Sequence, residues 1–566
     1  MRLPTAILLA ALLAISACKP ADVPPPADLV LINGGIYTVD SARTWAQAAA
    51  ISGNKIIAVG SNTEVQTLIG PNTRVIDLTG RMALPGIHDS HIHPLEGGYE
   101  KVWCNLYDSE SVAAVTAKLS ECTATHPQWL NAVGLDLGLF GLTGPDNSIL
   151  EDVDFDGYIF VDGSDGHAAL VNDKVLKLVG FDENTPDPPG GVIERRTGTR
   201  VPNGTVRETA RDIVDKRRPP RDLTTSIDAM RDTVRQLNSF GITSIVDLWA
   251  SEHEYEVYRA LDESGDLTLR VQNGLIDDGV FAKHSGEDLV RVLDTRHDFE
   301  TALIDNDAIK IMVDGVFEGE TGAVLHPYLT NGKLGELNHE RDVLFERVLR
   351  YYDMGLQLHF HTMGDAAVRR ALDALEHARK NGDPDHLDRR HSLSHLGLIA
   401  NEDMQRFPEN NAAASFTLVW GFVDEWTLRL EIPVLGEERV RQLYPIRSVA
   451  EAGAIVVGGS DWNYGDLDPL LSIEVGVTRA SPYEITDYEV FADEVTDLRT
   501  MIDAYTINGA WLTHNDNRLG SIESGKLADI VVYDRNLFEV PPAEISDAVV
   551  EFTVFDGKIV YERQSD

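Results

Sequence analysis

Apolar and polar positions follow two rhythms along the chain. Near its start, ADLVLINGGIYTVD (27–40) and AAAISGNKIIAVGS (48–61) read as short strands broken at Asn-Gly-Gly and Gly-Asn, the two-residue hairpin signal. The same pattern returns in ADIVVYD (528–534) and VVEFTVFDGKIVYE (549–562), the latter turning at Asp556-Gly557. The two ends are therefore expected to pair in one small β-sandwich, from residues 28–83 and 516–566. Between them, apolar runs alternate with helical stripes such as Ile227, Met230, Val234 and Leu237, or Val368, Ala371, Leu372 and Leu375. That alternation predicts βα units and a parallel sheet. Eight runs can be counted, at 82–93, 241–249, 267–276, 307–315, 355–361, 391–395, 411–417 and 454–461. Eight is the barrel number, so the fold class is α/β, a (β/α)8 barrel over residues 84–515 with the sandwich beside it. The stretch at about 94–240 is too long for one βα connection and is read as an insertion overhanging the C-terminal barrel face.

The extreme N-terminus follows neither rhythm. Arg2, the apolar run Ala6 to Ile15 and the small residues Ser16 and Ala17 predict a signal peptide over residues 1–18. Ile15-Ser16-Ala17-Cys18 resembles a bacterial lipobox, which implies lipidation of Cys18; a plain cleaved signal peptide is the alternative. Lys19, in place of a retention aspartate, points to export and a lipid anchor in the outer membrane, facing the periplasm or the exterior. Residues 19–27, with Pro20 and Pro24 to Pro26, form a stiff tether. No later run approaches 18 apolar residues, so no transmembrane span is expected.

Charge and cysteine content narrow the function further. The chain has 49 Lys+Arg against 91 Asp+Glu, a net charge of −42, which repels phosphate backbones and argues against a nucleic-acid partner. An oxidising compartment would let Cys104 and Cys122 pair; two inert buried thiols are the other reading. No signal for oligomeric state is legible.

Active sites of such barrels lie at the C-terminal strand ends. Those ends carry His91, His93, Asp247, Lys310, His361, His395 and Asp461. Two histidines at i and i+2 on a strand share one face, and imidazole with carboxylate suits Zn2+. In Ile309-Lys310-Ile311-Met312-Val313-Asp314 the odd positions are apolar, so Lys310, Met312 and Asp314 face the barrel interior. A buried ammonium there either pairs with Asp314 or stays neutral and takes up carbon dioxide as a carbamate able to bridge two metals. His359 is placed one layer below His361, in a supporting position. Asp461 follows two glycines and a serine that let the backbone crowd the site.

PGIHDSHIHP, AIKIMVDG, FHTMGDAAVRRAL, HSLSHLG, GGSDW and GSIESGKLADIVVYD together resemble the amidohydrolase superfamily, within it the amidohydrolase-3 group of YtcJ-like and N-substituted formamide deformylase-like proteins. FVDGSDGHAALVN, DPPGGVIE, DGVFEGETGAVLHPY and DLDPLLSIEVGVTR extend the likeness over nearly the whole chain after the tether. It implies a distorted (β/α)8 barrel with an N- plus C-terminal β-sandwich. It also implies that His91, His93, Lys310, His361, His395 and Asp461 surround one or two divalent ions, most readily Zn2+, with Lys310 as N6-carboxylysine. His88 and His359 depart from the family pattern and leave the number of ions open.

A divalent ion lowers the pKa of its water to about 7, and Asp461 is placed as the catalytic base that returns the proton to the departing amine. His167, at a family position near the pocket, and His326 with Tyr328 are substrate-binding candidates. The reading is an exported hydrolase cleaving a non-peptide C–N bond of a small linear or N-substituted amide through a metal-activated hydroxide. A cyclic amidase or deaminase on the same site is the alternative, and a non-catalytic ligand-binding lipoprotein is a third.

Overall fold

The apolar runs pair as parallel strands because each is sealed on one side by neighbouring strands and on the other by an amphipathic helix. The computed structural model describes residues 26–125, 128–142, 144–483 and 492–564; the signal segment, most of the tether and Cys18 lie outside them. Its central sheet has eight strands: β1 (Ile87–Ile92), β2 (Ile242–Ala250), β3 (Arg270–Ile276), β4 (Ile304–Met312), β5 (Gln357–Thr362), β6 (His391–His395), β7 (Ala412–Phe416) and β8 (Ile455–Gly458). They follow one another in chain order and all pair in parallel, as in a distorted (β/α)8 barrel. The helix Leu223–Ser239, capped by Asp222, buries Met230, Val234 and Leu237; Asp365–Asn381 buries Val368, Ala371, Leu372 and Leu375. Register sets the site's height, with Met312 beside His361 and Thr362 beside His395.

The ring closes through backbone bonds at its mouth. The Asp461 amide donates to the His91 carbonyl at 2.8 Å and the His93 amide to the Trp462 carbonyl at 2.7 Å.

The insertion builds a six-stranded mixed sheet of its own, from Cys104–Asn105 to Pro202–Glu208. A Cys104–Cys122 disulfide ties its edge strand to the end of the helix Val112–Cys122. Four- and six-stranded sheets from both ends of the chain share a core of Leu31, Ile36, Ile51, Ile530, Val532 and Phe552.

Two local expectations need correction. Gly53-Asn54 and Asp556-Gly557 do close hairpins. Asn33-Gly34 does not: Leu29–Ile32 and Gly35–Tyr37 belong to different sheets, and the left-handed Asn33 (φ 55°) turns the chain from one to the other. The run 82–93 is likewise two strands, for Met82–Pro85 pairs with Ile530–Tyr533 in the sandwich before the chain passes Gly86 into β1. Among the described residues no helix is long and apolar enough to cross a membrane.

Candidate metal centre

His91 sits near the end of β1, and His93 follows it as the residue before the helix Pro94–Tyr99. Asp461 reaches them from beyond β8 because Gly459 has no side chain: a Cβ there would stand 2.7 Å from the His91 Cβ. Asp461 Oδ1 lies 2.9 Å from His93 Nε2 and 3.3 Å from His91 Nε2, with all three residues buried. One donor atom from each falls within 4.8 Å of the others, the spacing of a metal-ligand set. Asp461 (φ 53°) and His395 (φ 73°) hold left-handed backbone, which costs about 1–3 kcal/mol each and persists where the surrounding fold enforces it.

The other candidates close the group. The His395 ring is 4.7 Å from that of His91 and 4.5 Å from that of His361, and its Nδ1 is 3.8 Å from Asp461 Oδ2. Lys310 Nζ is 3.2 Å from His91 Nε2. His91, His93, Lys310, His361, His395 and Asp461 thus line one cavity of about 220 Å3, together with His167. Burial, reinforced by neighbouring cations, holds the imidazoles of His91, His361 and His395 well below their usual range, and burial brings Lys310 down to about 7. Neutral imidazoles offer lone pairs, the state a metal requires. The donor set fits a divalent ion: Asp461 Oδ1 and His395 Nδ1 are buried without a hydrogen bond, although they sit among nitrogen and oxygen acceptors. A cation between them would satisfy both.

Three supporting contacts were not legible in the sequence. Asp314, one possible partner for Lys310, instead accepts from His361 Nδ1 at 3.1 Å and from the amides of Ala323, Met363 and Gly364. Lys310 has no carboxylate within ion-pair distance among the described residues. Glu208, from the insertion sheet, meets His167 Nδ1 at 2.9 Å and accepts from Thr321. Burial alone would lower His167, but the Glu208 carboxylate outweighs it and raises the imidazole to about 9. Asp89 accepts the amides of His91 and Ser460 across the barrel closure.

Other expected residues lie elsewhere. His326 is exposed and outside the cavity lining, its carbonyl held by Arg439. Tyr328 is buried with its hydroxyl donating to the Gly322 carbonyl. His359 meets Gln357 one layer down, and Asp247 accepts from Tyr258; neither lines the cavity. His88 packs toward Gly509, away from the cavity.

Known proteins share this arrangement of elements. The profile of the Amidohydrolase family matches residues 74–561. N-substituted formamide deformylase of Arthrobacter pascens is 28% identical, over 95% of this chain and 98% of its own. Protein LONG AFTER FAR-RED 3 of Arabidopsis thaliana is 27% identical, over 94% and 92%. In fold, the chain resembles an uncharacterized metal-dependent hydrolase of Pyrococcus horikoshii, with a TM-score of 0.71 at 21% identity, covering 91% of this chain and 99% of that one.

Proposed function

The chain belongs to the amidohydrolase family and is a hydrolase of carbon–nitrogen bonds; from that premise we propose that it cleaves a small linear or N-substituted amide after export, anchored by a lipid at Cys18. The observation that carries the reading is the buried, unsatisfied Asp461 Oδ1 beside two imidazoles, in a chain alignable end to end with a formamide deformylase. His91, His93, His361, His395, Asp461 and Lys310 are the residues that would hold one or two divalent ions, zinc by donor type. When bound, such an ion supplies Lewis acidity and a water of lowered pKa.

The chain's own groups do the rest. Asp461 takes the proton of the attacking water and delivers it to the departing amine nitrogen. His361 is held in one tautomer by Asp314, which leaves Nε2 free. His167, kept cationic by Glu208 and 5.2 Å from the His361 ring, is placed to hold a developing carbonyl oxyanion. Lys310, without a carboxylate partner, is the amine available for carboxylation. The Cys104–Cys122 disulfide supports an oxidising compartment and hence export.

The test combines metal content per chain, by elemental mass spectrometry, with turnover of N-alkylformamides, cyclic amides and aminopurines. Metal-dependent formamide cleavage, with metal content falling in Lys310→Ala, is expected. Preferential turnover of the cyclic amides or aminopurines moves the activity to that class, and a metal-replete chain with no turnover of any would refute it.

A further inference from the structure

Beyond the metal ligands, the same cavity holds acidic side chains that no cation of the described residues pairs at ion-pair distance. Asp165, Glu318, Asp424 and Glu431 line it, and none of the four forms an ion pair among the described residues. Glu318 and Glu431 are only 8% and 7% exposed. Among the described residues no other side chain hydrogen-bonds the Glu318 carboxylate. Asp165 uses Oδ1 on the amides of His167 and Ala168, while its buried Oδ2 has no hydrogen-bond partner among the described residues. Asp424 is occupied by Thr427, whose hydroxyl also neighbours Glu431. Burial raises Glu318 and Glu431 first, and the neighbouring acids raise them further: Asp165 for Glu318, then Glu318 and Asp424 for Glu431.

The carboxylates are linked to the metal centre through a chain of neighbours. His361 packs against His167, Asp165 caps the His167 amide, Glu318 interacts with both, and Glu431 interacts with Glu318. Trp249, Trp420, Trp426 and Tyr464 line the same cavity, Trp420 stacking on His395 at 5.9 Å and 19°. A single metal ion is a poor occupant of this acidic part. Among the described residues, three-donor groups within 4.8 Å are His91/His93/Asp461 and the surface set His297/Glu300/Asp307, so the four acids are too dispersed. Dispersed carboxylates in a cavity that is also lined by indoles suit an organic cation, which spreads its charge and gains from cation–π contact. Buried carboxylates without cations are costly, and a ligand that brings the cation removes that cost. The net charge of −42 also draws cations toward the cavity.

We propose that the amides cleaved here carry an ammonium group at the end away from the scissile bond, held by Glu318 and Glu431 in this tryptophan-lined cavity. The proposal rests on the amide-hydrolase reading above and names its substrate class.

The test compares N-formyl-1,6-diaminohexane with its neutral near-isostere N-formylheptylamine on the whole metal-replete protein, and measures benzyltrimethylammonium binding by calorimetry. A charge-assisted contact predicts about 10- to 100-fold higher kcat/KM for the cationic formamide, carried mainly by KM. Glu318→Gln with Glu431→Gln is expected to abolish the preference and weaken benzyltrimethylammonium binding at least about tenfold. Cleavage of the neutral formamide with no cationic preference overturns the inference and leaves the amide reading standing. Glutamate-dependent binding of benzyltrimethylammonium without cleavage of either formamide upholds the cation site and overturns the amide reading. The comparison of the two formamides uses the unmodified protein, so it decides the matter even if the glutamine variants do not fold.

Discussion

Replacing Asp314 with asparagine separates support from chemistry at this site. The Asp314 carboxylate is fully buried; Oδ1 accepts from His361 Nδ1 at 3.1 Å and the Met363 amide at 3.0 Å, and Oδ2 accepts from the Ala323 and Gly364 amides at 2.9 Å each. Asparagine in the same pose keeps one carbonyl oxygen and turns an NH2 toward the other pair. Two acceptor bonds are lost and two donors face a donor. At about 1–3 kcal/mol for each buried group left unpaired, the loss is about 2–6 kcal/mol, a large share of a domain stability of about 5–15 kcal/mol. Relaxing the His361 tautomer adds about a 10- to 100-fold loss of activity or metal affinity. His361→Ala removes only one of the four bonds, leaves the three amides paired, and should cost less stability but more activity. Urea unfolding of the metal-free chains, followed by circular dichroism, gives the order of midpoints. A wild-type midpoint for Asp314→Asn, or a lower one for His361→Ala, would falsify the account of Asp314 as the organiser of these loops.

Two further predictions follow the same logic. Gly459→Ala places a Cβ 2.7 Å from the His91 Cβ and 2.9 Å from its amide nitrogen, so the β1 end must move. About 1–3 kcal/mol of destabilisation and reduced metal content are expected, and full metal content by elemental mass spectrometry contradicts the crowding argument. His167 is raised from 6.5 to about 9, so its pairing with Glu208 stabilises fully below pH 6.5 and is lost as pH rises through about 9. The gap between wild type and Glu208→Gln in the metal-free chain should be on the order of 3 kcal/mol near pH 6 and close by about pH 10; unfolding midpoints that keep a constant gap rule this out.

What the sequence revealed depended on period and position. Lys310 and His361 could be placed because strand alternation decides which side chains face the barrel interior, and β4 and β5 keep that alternation; His395 was legible only as the end of its strand, for it shares the parity of the core residue Leu393 and its left-handed backbone (φ 73°) accompanies its turn into the cavity. Asp314 followed the same parity but its partner did not, since backbone amides from Ala323, Met363 and Gly364 have no signature in residue identity. Glu208 was invisible because it arrives from the insertion, whose sheet order of mixed strands has no single period. The Asn33-Gly34 signal misled because a turn that reverses a strand and one that changes sheets use the same left-handed residue. His326 misled because its distance along the chain from Asp314 says nothing of where the intervening loop points.

The closure at the barrel mouth carries a consequence for biogenesis. Asp89 and Ser460, which bond across it, are 371 positions apart. A ribosome has therefore made at least 461 of the 566 residues before His91 can meet Asp461, and every shorter nascent length holds the histidines without their carboxylate. Joining ends so distant carries a large loop-closure entropy, so this is expected to be among the last contacts to form and the first to open. An ion gripped by both ends would act as a clasp on the ring, and its removal would be felt as loosening of the first and last strands before the sheet between them.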